Sequence, residues 1–277
     1  MRQRLETLEQ GLEASLETDA EALHRARVAT RRLREALPLV APTAGNGAID
    51  GLKDVVRDAT RALGGVREID VALTLVDDLV KDRPDLASAL DVVRGAMTGE
   101  RAARLDRMHR RLDTDGLQRA ARALADRLPL LADDRQPTQL LADRLLDRIH
   151  GLRNAVEEAG LLYAAERLHR VRLATKKLRY VLELTGEMRV ASTRRVVGEL
   201  KRVQECLGRL HDLDIVAHVA RQALASSSPG EPSAPVLSLL DEQIRTEHAN
   251  YLALRERLTV VLDRAAVLSA RLRKARA

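Results

Sequence analysis

The chain has 277 residues, 45% of them hydrophobic, and its 47 basic and 41 acidic residues leave a formal net charge of +6. Such a chain can bury the core of one large domain or two smaller ones, and its one cysteine excludes an intramolecular disulfide and fits a reducing compartment. The first residues lack the apolar core of a signal peptide, and no stretch reaches the roughly 18 apolar residues of a membrane span, so we expect a soluble cytoplasmic protein.

The residue usage predicts an all-α fold. Phe and Trp are absent, and proline occurs only 8 times. Strong helix formers therefore dominate, and no run of alternating β-branched residues predicts a strand. Pro38, Pro42 and the glycines Gly45 and Gly47 are predicted to end the first helix, and Gly186 the seventh. We predict helices, in chain order, at 2–40, 48–63, 67–82, 85–113, 115–128, 138–158, 161–186, 191–207, 212–226 and 235–275.

A dense basic segment, HRARVATRRLR, lies in the first predicted helix between His24 and Arg34. This first box carries five arginines and a histidine but no acid. At about 100° per residue, Arg27, Arg31 and Arg34 fall on the same side of the helix as His24, opposite the apolar Leu33. Helix faces in solvent usually pair acids with bases four residues apart. The stripe therefore favours an anion site, in which arginine forks meet phosphate oxygens, over an ordinary solvated face.

A second motif, LGGVREIDV, begins at Leu63. Arg57 lies ten residues before Arg67, the basic residue of this motif, and Lys53 and Arg61 lie one helical turn from Arg57. These side chains are either further contacts to an anion or ordinary helix surface.

Both motifs recur in the second half of the chain. The second box, HRVRLATKKLR, begins at His169 and matches the first box at seven of eleven positions, and LGRLHDLDI begins at Leu207. The two motifs keep their order and recur at offsets of 145 and 144 residues, which indicates an internal duplication. Under the second offset, Lys201 is the equivalent of Arg57.

The duplication divides the chain into two predicted repeats, 1–132 and 133–277. The segment DDRQP at 133–137 is predicted to link them. The low-complexity segment SSSPGEPSAP at 226–235 is predicted to form an exposed loop in the second repeat.

The paired motifs resemble those of the CHAD domain, the conserved histidine α-helical domain. Its hallmark is H-x-x-R-V-x-x-R-R-L-R followed by L-G-x-x-[RH]-D-x-D-V, with the whole unit repeated. Both boxes match the first motif, although the second has lysine at Lys176 and Lys177. The second motif matches well from Leu207 to Asp214, while its first copy has Glu68 where the family prefers aspartate. The resemblance covers nearly the whole chain.

This resemblance implies two four-helix bundles related by a pseudo-twofold axis. It also implies that the protein binds inorganic polyphosphate or a similar polyanion, without catalysis, in a basic cavity or groove lined by both repeats, and it suggests polyphosphate granules as a location. The stripes and the resemblance together predict these polyphosphate-binding residues: His24, Arg27, Arg31, Arg32, Arg34, Lys53, Arg57, Arg61, Arg67, His169, Arg172, Lys176, Lys177, Arg179, Lys201 and His211.

Binding to a nucleic-acid backbone is the alternative function, because basic helical grooves also suit DNA and RNA. The chain has only three tyrosines to stack on bases, and it shows neither a recognition-helix motif nor zinc spacing. We expect no catalysis, because His24 and His169 are not accompanied by a nucleophile motif or a P-loop. We also expect no metal or cofactor: Asp212 and Asp214 diverge by about 200° on a helix, which favours a role in orienting arginines.

Overall fold

The computed structural model describes residues 20–44, 46–119, 137–187, 191–225 and 233–274, and every regular element in these ranges is helical. The prediction of an all-α chain is therefore confirmed. A 3₁₀ turn, Pro84–Leu86, and a short helix at 114–119 accompany the long helices. The long helices are α1 Ala20–Ala44, α2 Asn46–Asp82, α3 Ala87–Arg111, α4 Pro137–Ala159, α5 Ala165–Glu187, α6 Arg194–Ala225 and α7 Ser233–Lys274.

Part of the prediction lies outside the described residues. This applies to the first helix up to residue 19, to most of the helix at 115–128, and to nearly all of the linker and the serine-rich loop. Among the helices that the structure describes, none combines the length and the hydropathy that a bilayer span requires.

Two predicted helix breaks are wrong. The helices predicted at 48–63 and 67–82 are one continuous helix, α2, and those at 191–207 and 212–226 are α6. Each glycine inside a helix costs about 1 kcal/mol relative to alanine. Buried neighbours offset that cost, since Leu63 in α2 and Leu207 in α6 are held in hydrophobic clusters.

The two prolines near the end of α1 do not stop that helix. It continues through Pro38 and Pro42 to Ala44, because proline removes a backbone donor but keeps a helical φ, and the preceding Leu37 is fully buried in the core. The predicted end of α5 at Gly186 lies within one residue of the observed end.

Two of the three hydrophobic clusters each belong to one half of the chain. The first joins α1 to the amino-terminal half of α2 and the end of α3, with Leu33 and Met108 in its interior. The second joins α4 and α5 to the amino-terminal half of α6 and the carboxyl-terminal half of α7, with Leu178 and Tyr251 in its interior.

The third cluster is built from both halves. It joins the remaining parts of α2, α3, α6 and α7 through residues such as Ile69, Met97, Leu213 and Leu240. These helices reach it because they are long: α2 has 37 residues and α7 has 42. The described helices therefore form three clusters, and the shared one fixes the halves against each other.

Candidate functional site

The first box lies on α1 and the second on α5, and these two helices pack against each other. In each box the apolar side enters a hydrophobic cluster, through Leu33 in α1 and Leu178 in α5. Each box also holds a buried threonine, Thr30 or Thr175, whose hydroxyl donates to a backbone carbonyl of the preceding turn. The polar atoms on the apolar side are thus satisfied within the helix, and the charged atoms are left on the other side.

Four basic side chains from the two boxes meet between α1 and α5, and we call them the central cluster. Arg27, Arg172 and Lys176 are 8%, 7% and 8% exposed. The charge of Arg31 acts on both Arg172 and Lys176. The 145-residue offset between the boxes aligns Arg27 with Arg172 and Arg31 with Lys176. Like charges from equivalent positions of both halves are therefore concentrated in one place.

Two carboxylates face the central cluster, and they too are equivalent under the duplication. Glu68 accepts a hydrogen bond from Arg27 Nη2 at 3.3 Å. Asp212 is close enough to Arg172 that its charge opposes the lowering of the arginine pKa by burial. With two carboxylates for four basic side chains, the cluster carries an excess of positive charge when all of its members are ionised.

The second carboxylate of each motif points away from the cluster, as expected for residues about 200° apart on a helix. Asp70 accepts a hydrogen bond from Arg101 Nε at 2.6 Å, and Asp214 accepts one from the Tyr163 hydroxyl. Within the described ranges, no three His, Cys, Asp or Glu side chains are grouped so that they could hold a metal ion.

Several buried nitrogens of the site have no hydrogen-bond partner in the described part of the chain. They are Nε of Arg27, Nε and Nη1 of Arg172, and Nε2 of His211. A buried donor without a partner costs about 1–3 kcal/mol, and more when it is charged. An anion placed among these nitrogens would accept hydrogen bonds from groups belonging to both halves.

Burial and mutual repulsion disfavour the charged forms of the cluster. Burial lowers the pKa of Lys176 to about 6, and the charges of Arg172, Arg31 and Arg27 act in the same direction. Burial also lowers the pKa of Arg27 to about 10, with the charge of Arg31 contributing. The pKa of Asp212 is raised to about 6 by burial, against the effect of Arg172. Near neutrality Lys176 is therefore largely unprotonated, whereas Arg27 keeps its proton.

His169 of the second box and His211 of the motif that follows it form a pair beside the cluster. His169 Nδ1 lies 3.2 Å from His211 Nδ1, with the ring centroids 4.5 Å apart. Burial lowers both pKa values, that of His211 to about 3, and the charge of Arg172 adds to the effect. In the first half the equivalent positions are His24, which is exposed, and Arg67, whose charge adds to the lowering of the His24 pKa by burial.

A cavity of about 300 Å³ continues the cluster toward α4. Arg31 and Lys176 form one side of it, and Arg34 and Lys177 lie beside them. Burial lowers the pKa of Lys177, and Arg148, which also lines the cavity, contributes. The cavity and the central cluster together form what we call the central cleft.

Two arginines of the cleft were not predicted. Arg144 and Arg148 lie one turn apart on α4 and line the cavity. Their Nη2 atoms lie 2.8 Å and 3.0 Å from the same oxygen of Glu35, which follows the first box directly and is buried. Acids near both arginines in the sequence make α4 resemble an ordinary solvated helix, and the spacing of four residues is the one signal that places the two on one face.

Two predicted site residues are engaged inside the protein. Arg179 donates to Gln204 Oε1 at 2.8 Å and to Glu183, and its guanidinium lies 4.6 Å from the centroid of the Tyr180 ring. Arg32 Nη2 lies 3.7 Å from another oxygen of Glu183. These arginines join α5 to α6 and to α1, respectively, and do not line the cavity of the cleft.

Four further predicted residues lie on α2 and α6, outside the cavity of the central cleft. Arg57 and Arg61 are paired with Asp58 on their own helix, at 3.2 Å and 3.5 Å. Lys53 is half-buried on α2, and Lys201 is exposed on α6. None of these four basic side chains lines the cavity of the central cleft.

Comparison with known proteins gives a family match over most of the chain. The model of the CHAD domain family matches residues 1–225. Two uncharacterised proteins of Mycobacterium tuberculosis, MT2285 and Rv2226, are each 28% identical over 232 residues. The match covers 76% of this chain and 42% of each relative, so the chain spans about two-fifths of the length of the curated relatives it matches.

Two solved structures share the fold. The crystal structure of the CHAD domain from the plant Ricinus communis is 26% identical, with a TM-score of 0.58 over 96% of this chain and 88% of the other. PptA from Streptomyces chartreusis is 17% identical, with a TM-score of 0.50 over 95% of each chain, and this likeness supports the fold alone.

Proposed function

The chain belongs to the CHAD domain family, and from this premise we propose that it binds inorganic polyphosphate, without catalysis, in the central cleft between α1 and α5. The observation that carries the proposal is the group of buried guanidinium and imidazole nitrogens from both halves that have no hydrogen-bond partner among the described residues. The family whose motifs the boxes match has members that bind polyphosphate. A polyphosphate ligand would also bring the protein to polyphosphate granules.

The electrostatics of the cleft favour a ligand with closely spaced negative charges. Taking a charged side chain out of water costs several kcal/mol unless an opposite charge meets it. Among the described residues, Glu68 and Asp212 are the carboxylates that face Arg27, Arg31, Arg172 and Lys176. Phosphate oxygens would accept bidentate hydrogen bonds from the guanidinium forks and offset the repulsion between the boxes.

We further propose that the chain arose by duplication, with repeats at 1–132 and 133–277 related by an axis between α1 and α5. The equivalent pairs support this. Arg27 faces Glu68 as Arg172 faces Asp212, and the helices that carry these pairs pack in equivalent ways. In this arrangement one polyanion contacts both boxes at once.

The aromatic side chains argue against single-stranded nucleic acid as the ligand. Tyr180 is 6% exposed and Tyr251 is fully buried, so Tyr163, at 40%, is the one tyrosine with an accessible ring. Binding of single strands normally uses several exposed rings on which successive bases stack.

A competition experiment tests the proposal. Labelled polyphosphate bound to the protein is challenged with unlabelled polyphosphate and with duplex DNA at equal phosphate concentration. We expect polyphosphate to displace the label at much lower concentration. Equal displacement by DNA would favour a general backbone binder, and release of phosphate from polyphosphate with a divalent metal present would contradict the absence of catalysis.

A further inference from the structure

A second arginine-lined cavity lies between α2 and α3, on the first half of the molecule. We call it the outer cavity; its volume is about 510 Å³, and none of its lining residues lines the cavity of the central cleft. Arg104, Arg107 and Arg111 face it from α3, at spacings of three and four residues that place them on one side of the helix. Arg61 faces it from α2.

The carboxylates of the outer cavity do not balance its arginines. Glu100 serves two of them, lying 2.7 Å from Arg104 Nε and 3.2 Å from Arg107 Nη2. Asp58 lies 3.5 Å from Arg61 Nη1. Within the described part of the chain, no carboxylate is paired with Arg111. Four cations and two carboxylates line the cavity, and Glu68, which lies 3.9 Å from Arg104, is shared with Arg27 of the central cluster, so the lining keeps an excess of positive charge.

The second half of the molecule does not repeat this arrangement, although it repeats the boxes. Gly65 lines the outer cavity, and its equivalent under the 144-residue offset is Arg209. Arg209 reaches from α6 toward α7, where its Nε lies 3.1 Å from Glu247. The cavity found there is lined by that arginine together with Glu242 and Glu247. In the described part of the chain, the cavity at this place in the second half therefore carries two carboxylates and one guanidinium, whereas the outer cavity carries four guanidinium groups.

One shared carboxylate and one electrostatic interaction connect the outer cavity with the central cleft. Glu68 lies 3.3 Å from Arg27 in the central cluster and 3.9 Å from Arg104 in the outer cavity. On the surface, Arg61 of the outer cavity is near enough to Arg34 of the cleft for its charge to add to the lowering of the Arg34 pKa by burial and by Arg31. Arg34 and Arg61 are both exposed, so positive charge continues along the surface from one cavity to the other.

We propose that the outer cavity is a second phosphate-binding site, which a polyphosphate chain held in the central cleft reaches by way of Arg34 and Arg61. This inference rests on the proposed function. The ligand is a run of phosphates rather than a nucleotide, because the apolar lining consists of Ala62 and Met108 and offers no ring on which a base could stack. A long polyphosphate therefore binds through both the central cleft and the outer cavity, whereas a short one binds through one of them.

The test compares two arginines of the same helix with polyphosphates of two lengths. Arg107 and Arg94 both lie on α3, and their side chains are 51% and 46% exposed. Arg107 pairs with Glu100, seven residues away, and Arg94 pairs with Asp91, three residues away. Arg94 lies about 20 Å from Arg107 along the helix axis and does not line the outer cavity. Affinities for long-chain polyphosphate and for triphosphate are measured over a range of salt concentrations for Arg107→Ala, Arg107→Glu, Arg94→Ala and Arg94→Glu.

We expect both Arg107 variants to lose affinity for the long chain, the alanine variant by about threefold to tenfold. The slope of log affinity against log salt should become shallower by about 0.7 for each phosphate contact removed. Triphosphate cannot occupy both sites and should bind the central cleft of these variants with wild-type affinity. Arg94 variants should match the wild type with both ligands.

The proposal is overturned if the Arg107 variants bind the long chain as the Arg94 variants do. The arginines would then serve only to stabilise the carboxyl-terminal end of α3, where positive charge is favourable. Failure of the proposed function looks different, since the wild-type protein would then bind neither long-chain polyphosphate nor triphosphate.

Discussion

Lys176 is one of two positions at which the second box has lysine where the first has arginine, and it is the more deeply buried of the two. It is the equivalent of Arg31, but an amine can lose its proton in a buried setting where a guanidinium keeps it. Burial and the charges of Arg172, Arg31 and Arg27 lower the pKa of Lys176 to about 6. The central cluster therefore combines fixed charges with one that depends on pH.

We expect the affinity for polyphosphate to fall as the pH rises above about 6. In the free protein Lys176 is largely unprotonated above that pH, whereas bound phosphates favour its charged form and raise its pKa. Between these two pKa values the complex holds one more proton than its separated components. Each added pH unit then lowers the affinity by up to about tenfold, which anisotropy measurements at constant ionic strength would detect.

The variant that isolates this effect is Lys176→Arg, which keeps the charge but resists deprotonation. Its affinity should depend less on pH than that of the wild type. Lys201→Arg, on the exposed face of α6, is the matched control and should keep the wild-type dependence. His211 and Asp212 titrate in the same cluster, and any slope left in Lys176→Arg measures their share. An unchanged slope in Lys176→Arg would show that Lys176 does not take up the proton.

At the scale of the helices, most helix ends could be predicted from the sequence, but α2 and α6 were each wrongly divided into two helices. The predicted ends of α3, α4, α5 and α7 lie within four residues of the observed ones, because breakers and apolar periodicity are local signals. The continuity of α2 and α6 depends on distant residues instead. The glycines inside these helices are held by packing against other helices, which a local pattern does not contain.

Gly208 gives a test of that continuity. It lies inside α6, and an added Cβ would meet no atom within 4 Å, so Gly208→Ala should raise the free energy of unfolding by about 0.5–1 kcal/mol. Gly160, after α4, has a φ of +64°, and Gly160→Ala should lower the free energy of unfolding by about 1–2 kcal/mol. Urea titration of both variants provides the measurement. Destabilisation by Gly208→Ala would indicate that α6 is broken at this glycine in solution.

At the scale of the whole molecule, the site is divided between two halves that the chain keeps far apart in sequence. The central cluster could be predicted, because both boxes carry the same stripe and a repeated motif is expected to bring equivalent surfaces together. Arg144 and Arg148 could not, because α4 carries no motif and their relation to Glu35 exists only once α4 lies beside α1. The third hydrophobic cluster could not be predicted either, since it joins helices about 140 residues apart.

The two boxes should contribute comparably to binding. We expect Arg27→Gln with Arg31→Gln to weaken polyphosphate binding at least about tenfold, and Arg172→Gln with Lys176→Gln to do the same, because a charge-assisted contact contributes about 1.5–3 kcal/mol. Both double variants should also show a shallower salt dependence, and their combination should nearly abolish binding.

Arg273→Ala is the control for the box variants, because Arg273 is half-exposed on α7 and pairs with Asp143 outside the cleft. It should bind polyphosphate like the wild type. Circular dichroism of every variant separates loss of binding from loss of fold. If one box can be neutralised with no change in affinity or salt dependence, the site belongs to a single half.

During translation, α2 and α3 leave the ribosome well before α6 and α7 exist. The apolar faces around Ile69 and Met97 therefore stay uncovered until α6 and α7 have been synthesised. At ordinary rates of synthesis this takes about 10 s. The first half can assemble its own cluster in that interval but not the shared one. Nascent chains of this protein are therefore expected to expose an apolar surface that chaperones can bind until α7 has been synthesised.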